Sequence, residues 1–174
     1  MIINKIKIID DIFAEYINTD LIDLQNYLSW LSNHESNPFI LATSEKWNSK
    51  KLKSFIQAQN DSKDTALIGI FDQSTRRHVG NIKYENVYLG SLTCSFGILI
   101  GESDYRGRGI GAAVISETMK HFSVQFNISE FSLGVDKNNG RAIKTYTNLG
   151  FKVTEHYENN ESIRMSFKCH ESKG

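Results

Sequence analysis

The chain has a single proline, Pro38, and two cysteines, Cys94 and Cys169, and its twenty basic and twenty acidic residues cancel. One proline in 174 residues excludes a proline-rich linker or a polyproline recognition segment. Two cysteines with no C-x-x-C spacing and no paired framework fit a reducing compartment better than a secreted one, so a cytoplasmic location is expected. Zero net charge gives no reason to expect broad affinity for nucleic acid or for a membrane surface. Long apolar runs are also missing. Lys5 and Lys7 interrupt the apolar N-terminus before any signal-peptide core could form, and no other stretch approaches spanning length. The five histidines, His34, His78, His121, His156 and His170, are scattered without H-E-x-x-H or other ligand spacing, so no metal is expected.

What remains is the composition of one soluble globular domain over residues 1–174, large enough to bury a core without staples. Ile6-Lys-Ile8 and Ile12-Phe-Ala-Glu-Tyr-Ile17 read as short strands. Leu21, Leu24, Leu28 and Leu31 recur at helical spacing after a Thr19-Asp20 cap signal. The polar stretch from Ser32 to Pro38 reads as a loop, and Trp47, Leu52, Phe55 and Ile56 suggest a second amphipathic helix, with Ser44 as its cap. From Thr65 the pattern shifts to short apolar runs near 65–71, 77–86 and 92–100. Asp72-Gln-Ser-Thr75 and Leu89-Gly-Ser91 turn between them, giving an antiparallel meander. Ile110, Val114, Ile115, Met119 and Phe122 then mark a helix, and Phe131-Ser-Leu-Gly-Val135 a strand. Strand–helix–strand order implies a parallel pair there. Asn138 or Asn139 can cap a short helix carrying Ala142, Ile143, Tyr146 and Leu149, which Gly150 can end. Residues 151–157 and 162–168 read as a final hairpin across Glu158-Asn-Asn-Glu161.

The most informative segment is Arg106-Gly-Arg-Gly-Ile-Gly111, between the strand ending at Ile100 and the helix opening at Gly109 or Ile110. Glycines at alternate positions let consecutive N–H groups converge on an anion, and the helix adds its unsatisfied amides and the positive end of its dipole. Arg106 and Arg108 add positive charge. Gly107-x-Gly109-x-x-Ala112 also satisfies the loose dinucleotide-binding pattern, with Asp136 offered as a ribose-binding acid. That alternative is disfavoured because the unit follows an antiparallel meander and too little chain follows to build a second half. A plain strand-to-helix turn without a ligand is the remaining alternative.

Taken in order, Arg106-x-x-Gly109-x-Gly111 and Asn139-x-x-Ala142-Ile143-x-x-Tyr146-x-x-Leu149-Gly150-Phe151 resemble the GNAT superfamily of acyl-CoA-dependent N-acetyltransferases. Asn18-Thr19, Tyr27-Leu-Ser-Trp-Leu-Ser-Asn33 and Val79-Gly-Asn-Ile-Lys83 look like the branch containing the ribosomal-protein alanine acetyltransferases RimJ and RimL. The resemblance covers nearly the whole chain. It implies an α+β fold, a three-layer α/β/α sandwich. Its mixed, mostly antiparallel sheet would have about seven strands, splayed between the fourth and fifth, here the runs ending at Ile100 and Val135.

The same resemblance implies acetyl-CoA as cosubstrate, with the pyrophosphate on Arg106, Gly107, Arg108, Gly109, Ile110, Gly111 and Ala112. Pantetheine would then lie along the main chain of Ile98, Leu99 and Ile100 and against Asn139, which can equally be a simple helix cap. Tyr146 sits where many members keep the tyrosine that protonates the departing thiolate, although an aromatic residue at helical spacing also serves a core. Many relatives carry a glutamate base early in the fourth strand, but this chain has Ser95 nearest that position. Glu85 on the preceding strand, or ordered water, is left as the base. Cys94 reads as a small buried residue and not as an acyl carrier.

The expected activity is acetyl transfer to a primary amine by direct attack, with a protein N-terminal amine suggested by the branch. The alternatives are a small-molecule amine (amino sugar, polyamine or antibiotic) and a catalytically silent acetyl-CoA-binding module. The acceptor is expected between the segment from Trp30 to Trp47 and the hairpin near Glu158 to Glu161, with Glu35, Glu158 and Glu161 either attracting a cation or serving as surface charge. Monomer and homodimer are both compatible with the sequence.

Overall fold

The computed structural model describes residues 5–33, 38–39, 46–87, 90, 92–157 and 161–169. Along the chain these form β1 (Ile6–Lys7), β2 (Ile12–Tyr16), α1 (Leu24–Ser32), α2 (Ser49–Asp61), β3 (Thr65–Asp72), β4 (His78–Glu85) and β5 (Thr93–Ile100). A 3₁₀ turn (Ser103–Tyr105), α3 (Ile110–Phe126), β6 (Glu130–Asp136), α4 (Gly140–Asn148), β7 (Lys152–His156) and β8 (Ser162–Lys168) follow. Among the described residues, eight strands make one sheet in the order β1-β2-β3-β4-β5-β6-β8-β7. The eighth strand is the two-residue β1, which pairs antiparallel with β2 through Ile6 and Ala14. Every ladder is antiparallel except β5 with β6.

The helices divide between the two faces of the sheet, as period-two alternation along the strands requires. On β3, Ala66, Ile68 and Ile70 join the cluster that buries Ile110, Val114, Ile115 and Phe122 of α3, with Ile143 and Tyr146 of α4 packed against it. Leu67, between them in sequence, joins Tyr27, Trp30 and Leu31 of α1 and Leu52 and Ile56 of α2 on the other face. On β5, Phe96, Ile98 and Ile100 face α3 and α4, whereas Leu99 packs on the α1–α2 cluster. The expected three-layer arrangement is therefore present. No helix among the described residues is long and apolar enough to cross a membrane.

Two cap assignments differ from the sequence reading. Helix α1 is capped by Asp23, whose side chain accepts from the amides of Gln25 and Asn26, so Thr19 and Asp20 lie a turn too early and Leu21 stays 41% exposed outside the helix. Helix α2 is capped by Asn48, which accepts from the Lys51 amide. Ser44 lies outside the described residues, as do parts of the Ser32–Pro38 loop, the Leu89–Ser91 turn and the Glu158–Glu161 turn, and the side chains of His34, Glu35, Glu158 and His170. Asn139 caps α4 by accepting from the Ala142 amide at 3.1 Å, and Gly150, at φ +96°, ends it in the left-handed conformation that favours glycine.

Candidate active site

The parallel ladder of β5 and β6 is short. It registers Thr93 with Glu130, Cys94 with Phe131 and Ser95 with Ser132, and stops there, although β5 continues to Ile100 and β6 to Asp136. Beyond Ser95 the strands part, and the β6-facing main chain of residues 96–100 looks into a cleft of about 1250 Å³. The opposite edge of β5 stays paired with β4 as far as Gly80 and Ile100, so the splay is held open by a regular sheet on one side.

The cleft gathers almost all of the expected donor-binding positions. Ile98, Leu99 and Ile100 form one wall, and Arg106, Gly107, Gly109, Ile110, Gly111 and Ala112 close one end. Asn139 and Tyr146 reach it from α4. Gly107 and Gly109 have φ of 76° and 78°, and a Cβ at Gly109 would meet nothing within 4 Å. This is a bare cradle at the N-terminus of a 17-residue helix whose cap, being glycine, offers no side chain to the first amides. Exposed main-chain donors at a helix N-terminus fit a pyrophosphate.

The two arginines behave differently from the simple expectation that both add charge to the cradle. Arg106 donates from Nε to the carbonyl of Ile100 and from Nη2 to the carbonyl of Gly101, both at 2.8 Å. Its guanidinium thus ties the turn to the last carbonyls of β5. Arg108 does not line the cleft. Its guanidinium stands 5.1 Å over the Tyr105 ring.

Tyr146 packs edge-on against Phe96 and Phe151, with centroids 6.4 and 6.0 Å away. Burial pushes its phenol above the ordinary tyrosine range, so the group is a protonated donor near neutrality. Cys94 is buried, and burial pushes its thiol up to about 12, leaving it unreactive.

A second pocket of about 1200 Å³ opens on the α1–α2 face and shares Tyr27, Leu31, Phe55, Lys83, Phe96, Gly97, Gly134 and Tyr157 with the first. The two are therefore continuous through the splay. Trp47, Lys51, Ser95, Ser132 and Arg164 are among the residues that line the second pocket. Glu85 lines it as well. Its carboxylate is half exposed and lies 2.7 Å from Lys83 Nζ, so it is brought to the second pocket and not to the first cleft. Among the described residues no group of three or more His, Cys, Asp or Glu side chains is placed to hold a metal ion.

Two features escaped the sequence reading. Glu102, directly after Gly101, is 8% exposed and accepts from Asn26 Nδ2 at 2.7 Å and Trp30 Nε1 at 2.9 Å, while Arg77 pairs with its other oxygen. These bonds fasten α1 to the end of β5. The second is His78 with Asn81, a buried polar pair on β4 joined at 2.8 Å. Asn81 lies within the Val79–Lys83 stretch that carries the family resemblance, but that stretch assigns it no role, and Glu102 belongs to no motif.

Over residues 16–152 the chain matches the model of the family described as "Acetyltransferase (GNAT) domain". It is 27% identical over 141 residues to the uncharacterized protein MJ1062 of Methanocaldococcus jannaschii, covering 81% of this chain and 28% of that protein's length. Among solved structures, it is similar to the RimL ribosomal L7/L12 alpha-N-protein acetyltransferase in complex with coenzyme A, with TM-score 0.78 and 10% identity over 95% of this chain and 98% of the other. It is also similar to spermidine N-acetyltransferase from Vibrio cholerae in complex with CoA and spermine, with TM-score 0.76 and 15% identity over 91% and 95%.

Proposed function

The chain belongs to the GNAT acetyltransferase domain family, and from that premise we propose that it is an acetyltransferase with acetyl-CoA as donor that acetylates the α-amine of a protein or peptide N-terminus by direct attack. One observation carries the reading: the donor cleft and the α1–α2-side pocket meet where β5 leaves β6 after Ser95, so an amine and a thioester can meet through the sheet. The donor supplies the activated carbonyl. Main-chain amides of residues 106–112 hold its pyrophosphate, the main chain of residues 98–100 and Asn139 hold the pantetheine arm, and a β5 N–H polarises the carbonyl. Arg106 fixes the turn that presents those amides.

The acceptor nitrogen attacks the carbonyl carbon, the new C–N bond replaces the C–S bond, and Tyr146 gives its phenol proton to the departing sulfur. The attacking amine loses a proton in turn. An α-amine with pKa near roughly 8 needs only modest help, which Glu85 gives through water from the acceptor pocket. The solved relatives act, by their names, on a ribosomal protein N-terminus or on spermidine. Charge favours the first kind of acceptor here. Among the described lining residues of the acceptor pocket, Lys51, Lys83 and Arg164 face one carboxylate, Glu85. A polyamine would bring further ammonium groups into that surface.

The test is free-thiol release from acetyl-CoA with peptides of free N-terminus, polyamines and amino sugars offered separately. Turnover of peptides is expected, and their blocked N-acetyl forms should be inert. Turnover confined to polyamines or sugars would replace the reading with a small-molecule one. Binding of acetyl-CoA without turnover of any amine would favour a silent binding module.

A further inference from the structure

Asn81 is 5% exposed, stands opposite Leu99 in the β4–β5 ladder and lines the cleft. Its neighbours Gly80 and Ile82 register with Ile100 and Ile98, which face α3 and α4, so alternation puts Asn81 on the α1–α2 face with Leu99 and Lys83. That is the face on which the acceptor is proposed to enter, and Asn81 reaches it from the donor cleft and not from the second pocket itself.

Its side chain is held at one end only. His78 Nε2 lies 2.8 Å from Asn81 Oδ1, whereas Asn81 Nδ2 has no hydrogen-bond partner among the described residues. His78 is itself fixed, 4% exposed among the rings of Trp30, Phe71 and Tyr27 at centroid distances of 4.9, 5.1 and 5.6 Å. Burial pushes the imidazole down to about 4, so it is neutral at assay pH. By hydrogen-bond geometry its Nδ1 has no partner among the described residues, although the Gly80 backbone also favours the protonated ring. Placing the proton on Nε2 satisfies the bond to Asn81 and leaves Nδ1 a bare lone pair, the less costly of the two arrangements. With Oδ1 taken by His78, the Asn81 amide is left with buried N–H groups that no described residue receives, in a side chain that lines the cleft.

We propose that Asn81 Nδ2 donates to the carbonyl oxygen adjacent to the acceptor's α-amine, and that this bond selects α-amino acceptors over simple amines. The inference rests on the N-terminal reading above and deepens it. An attacking free-base nitrogen has no oxygen of its own to offer, but in a polypeptide N-terminus the next carbon but one carries a carbonyl. A polyamine carries none. A site built around a buried donor discriminates strongly against an analogue that leaves the donor unpaired. Asn81 is a binding and specificity residue here, and His78 a positioning residue acting through it.

The experiment compares kcat/KM for Ala-Ala-Ala-amide and for n-propylamine on the same preparations of the wild type, Asn81→Ala and Asn81→Asp. Taking the ratio cancels any loss of folded protein. Titration of the tripeptide amide into each protein saturated with coenzyme A supplies a second readout that needs no turnover. The expected result is a fall of roughly tenfold or more in the tripeptide-to-propylamine ratio and in tripeptide affinity, with KM for acetyl-CoA unchanged. Asn81→Asp, which keeps an oxygen for His78 but turns the donor into an acceptor, should lose more than Asn81→Ala. An unchanged ratio and affinity would overturn the inference, as would a rise in KM for acetyl-CoA alone. Wild-type turnover of other amines but of no α-amino acceptor would instead overturn the N-terminal reading, and the inference with it.

Discussion

The Tyr146 ring stands edge-on to Phe96, with centroids 6.4 Å apart, and Phe96 is the first residue of β5 beyond its last pairing with β6. The proposed acid is thus packed against the point where the sheet opens. Aromatic packing fixes the ring, and burial keeps the phenol protonated. Tyr146→Phe keeps the ring and loses only the hydroxyl. Steady-state assays should show kcat lowered about 100-fold, within the range for a positioned general acid, with KM for acetyl-CoA and thermal stability almost unchanged. An unaltered kcat would reduce Tyr146 to a packing residue.

Gly109 separates the backbone demand of the turn from the demand of its ligand. Its φ of 78° strains any side chain, but a Cβ there meets no protein atom within 4 Å. Gly109→Ala should therefore cost about 1 kcal/mol, seen as a melting temperature lowered by about 2–4 °C. If amides at this helix end hold pyrophosphate, the added methyl also intrudes on the anion. KM for acetyl-CoA should then rise by more than the stability loss explains. A stability loss with unaltered KM would remove Gly109 from the cradle.

The order of elements was legible because the apolar period changes cleanly: Ala66, Ile68 and Ile70 alternate along β3, whereas Ile110, Val114, Ile115 and Phe122 follow helical spacing. The Asn139 cap and the Gly150 terminus were legible because each depends on local backbone chemistry alone. The α1 cap was misplaced because Thr19-Asp20 and Asp23 are both acceptable caps, and packing chose between them by burying Tyr27, Trp30 and Leu31. Arg106 was read as charge for an anion. In the fold its fork meets two carbonyls at the C-terminal end of β5, which no sequence spacing reveals. Glu102 was passed over, and Asn81 was quoted only as part of the Val79–Lys83 resemblance, for a similar reason: the partners of Glu102 on α1 are distant in sequence, and the place of Asn81 beside the splay is defined only by the sheet.

His78 gives folding stability a pH dependence with a definite sign. Its native pKa is pushed below the ordinary 6.5 to about 4, chiefly by burial and against the bond to Asn81. Between these values the unfolded chain binds a proton that the folded chain refuses, so stability falls as pH drops from about 6.5 toward 4. The loss from this one group reaches about 3 kcal/mol at the acid end. Chemical denaturation across this window should show that slope, and His78→Gln, which keeps an N–H for Asn81 but does not titrate, should flatten it. An equal slope in the variant would assign the acid sensitivity elsewhere.

Glu102 offers the sharpest test of how α1 is fastened. A Cβ at Gly101 would lie 2.0 Å from the Trp30 ring, so the indole sits directly on the backbone at the end of β5, and Glu102 receives its N–H. Asn26 and Arg77 complete the carboxylate's partners. Glu102→Ala strips a buried acceptor from all three and should cost about 3 kcal/mol, measured by denaturant unfolding. Glu102→Gln keeps an oxygen for Asn26 and Trp30 but gives up the charge opposite Arg77, which is 44% exposed and screened by solvent, and should cost about 1 kcal/mol. The functional consequence follows from Tyr27 and Leu31, which α1 contributes to both pockets. Loosening α1 should raise KM for the amine more than KM for acetyl-CoA, whose proposed main-chain partners stand on β5 and α3. Equal rises in both would mean that the Glu102 cluster supports the whole splay and not the acceptor wall alone.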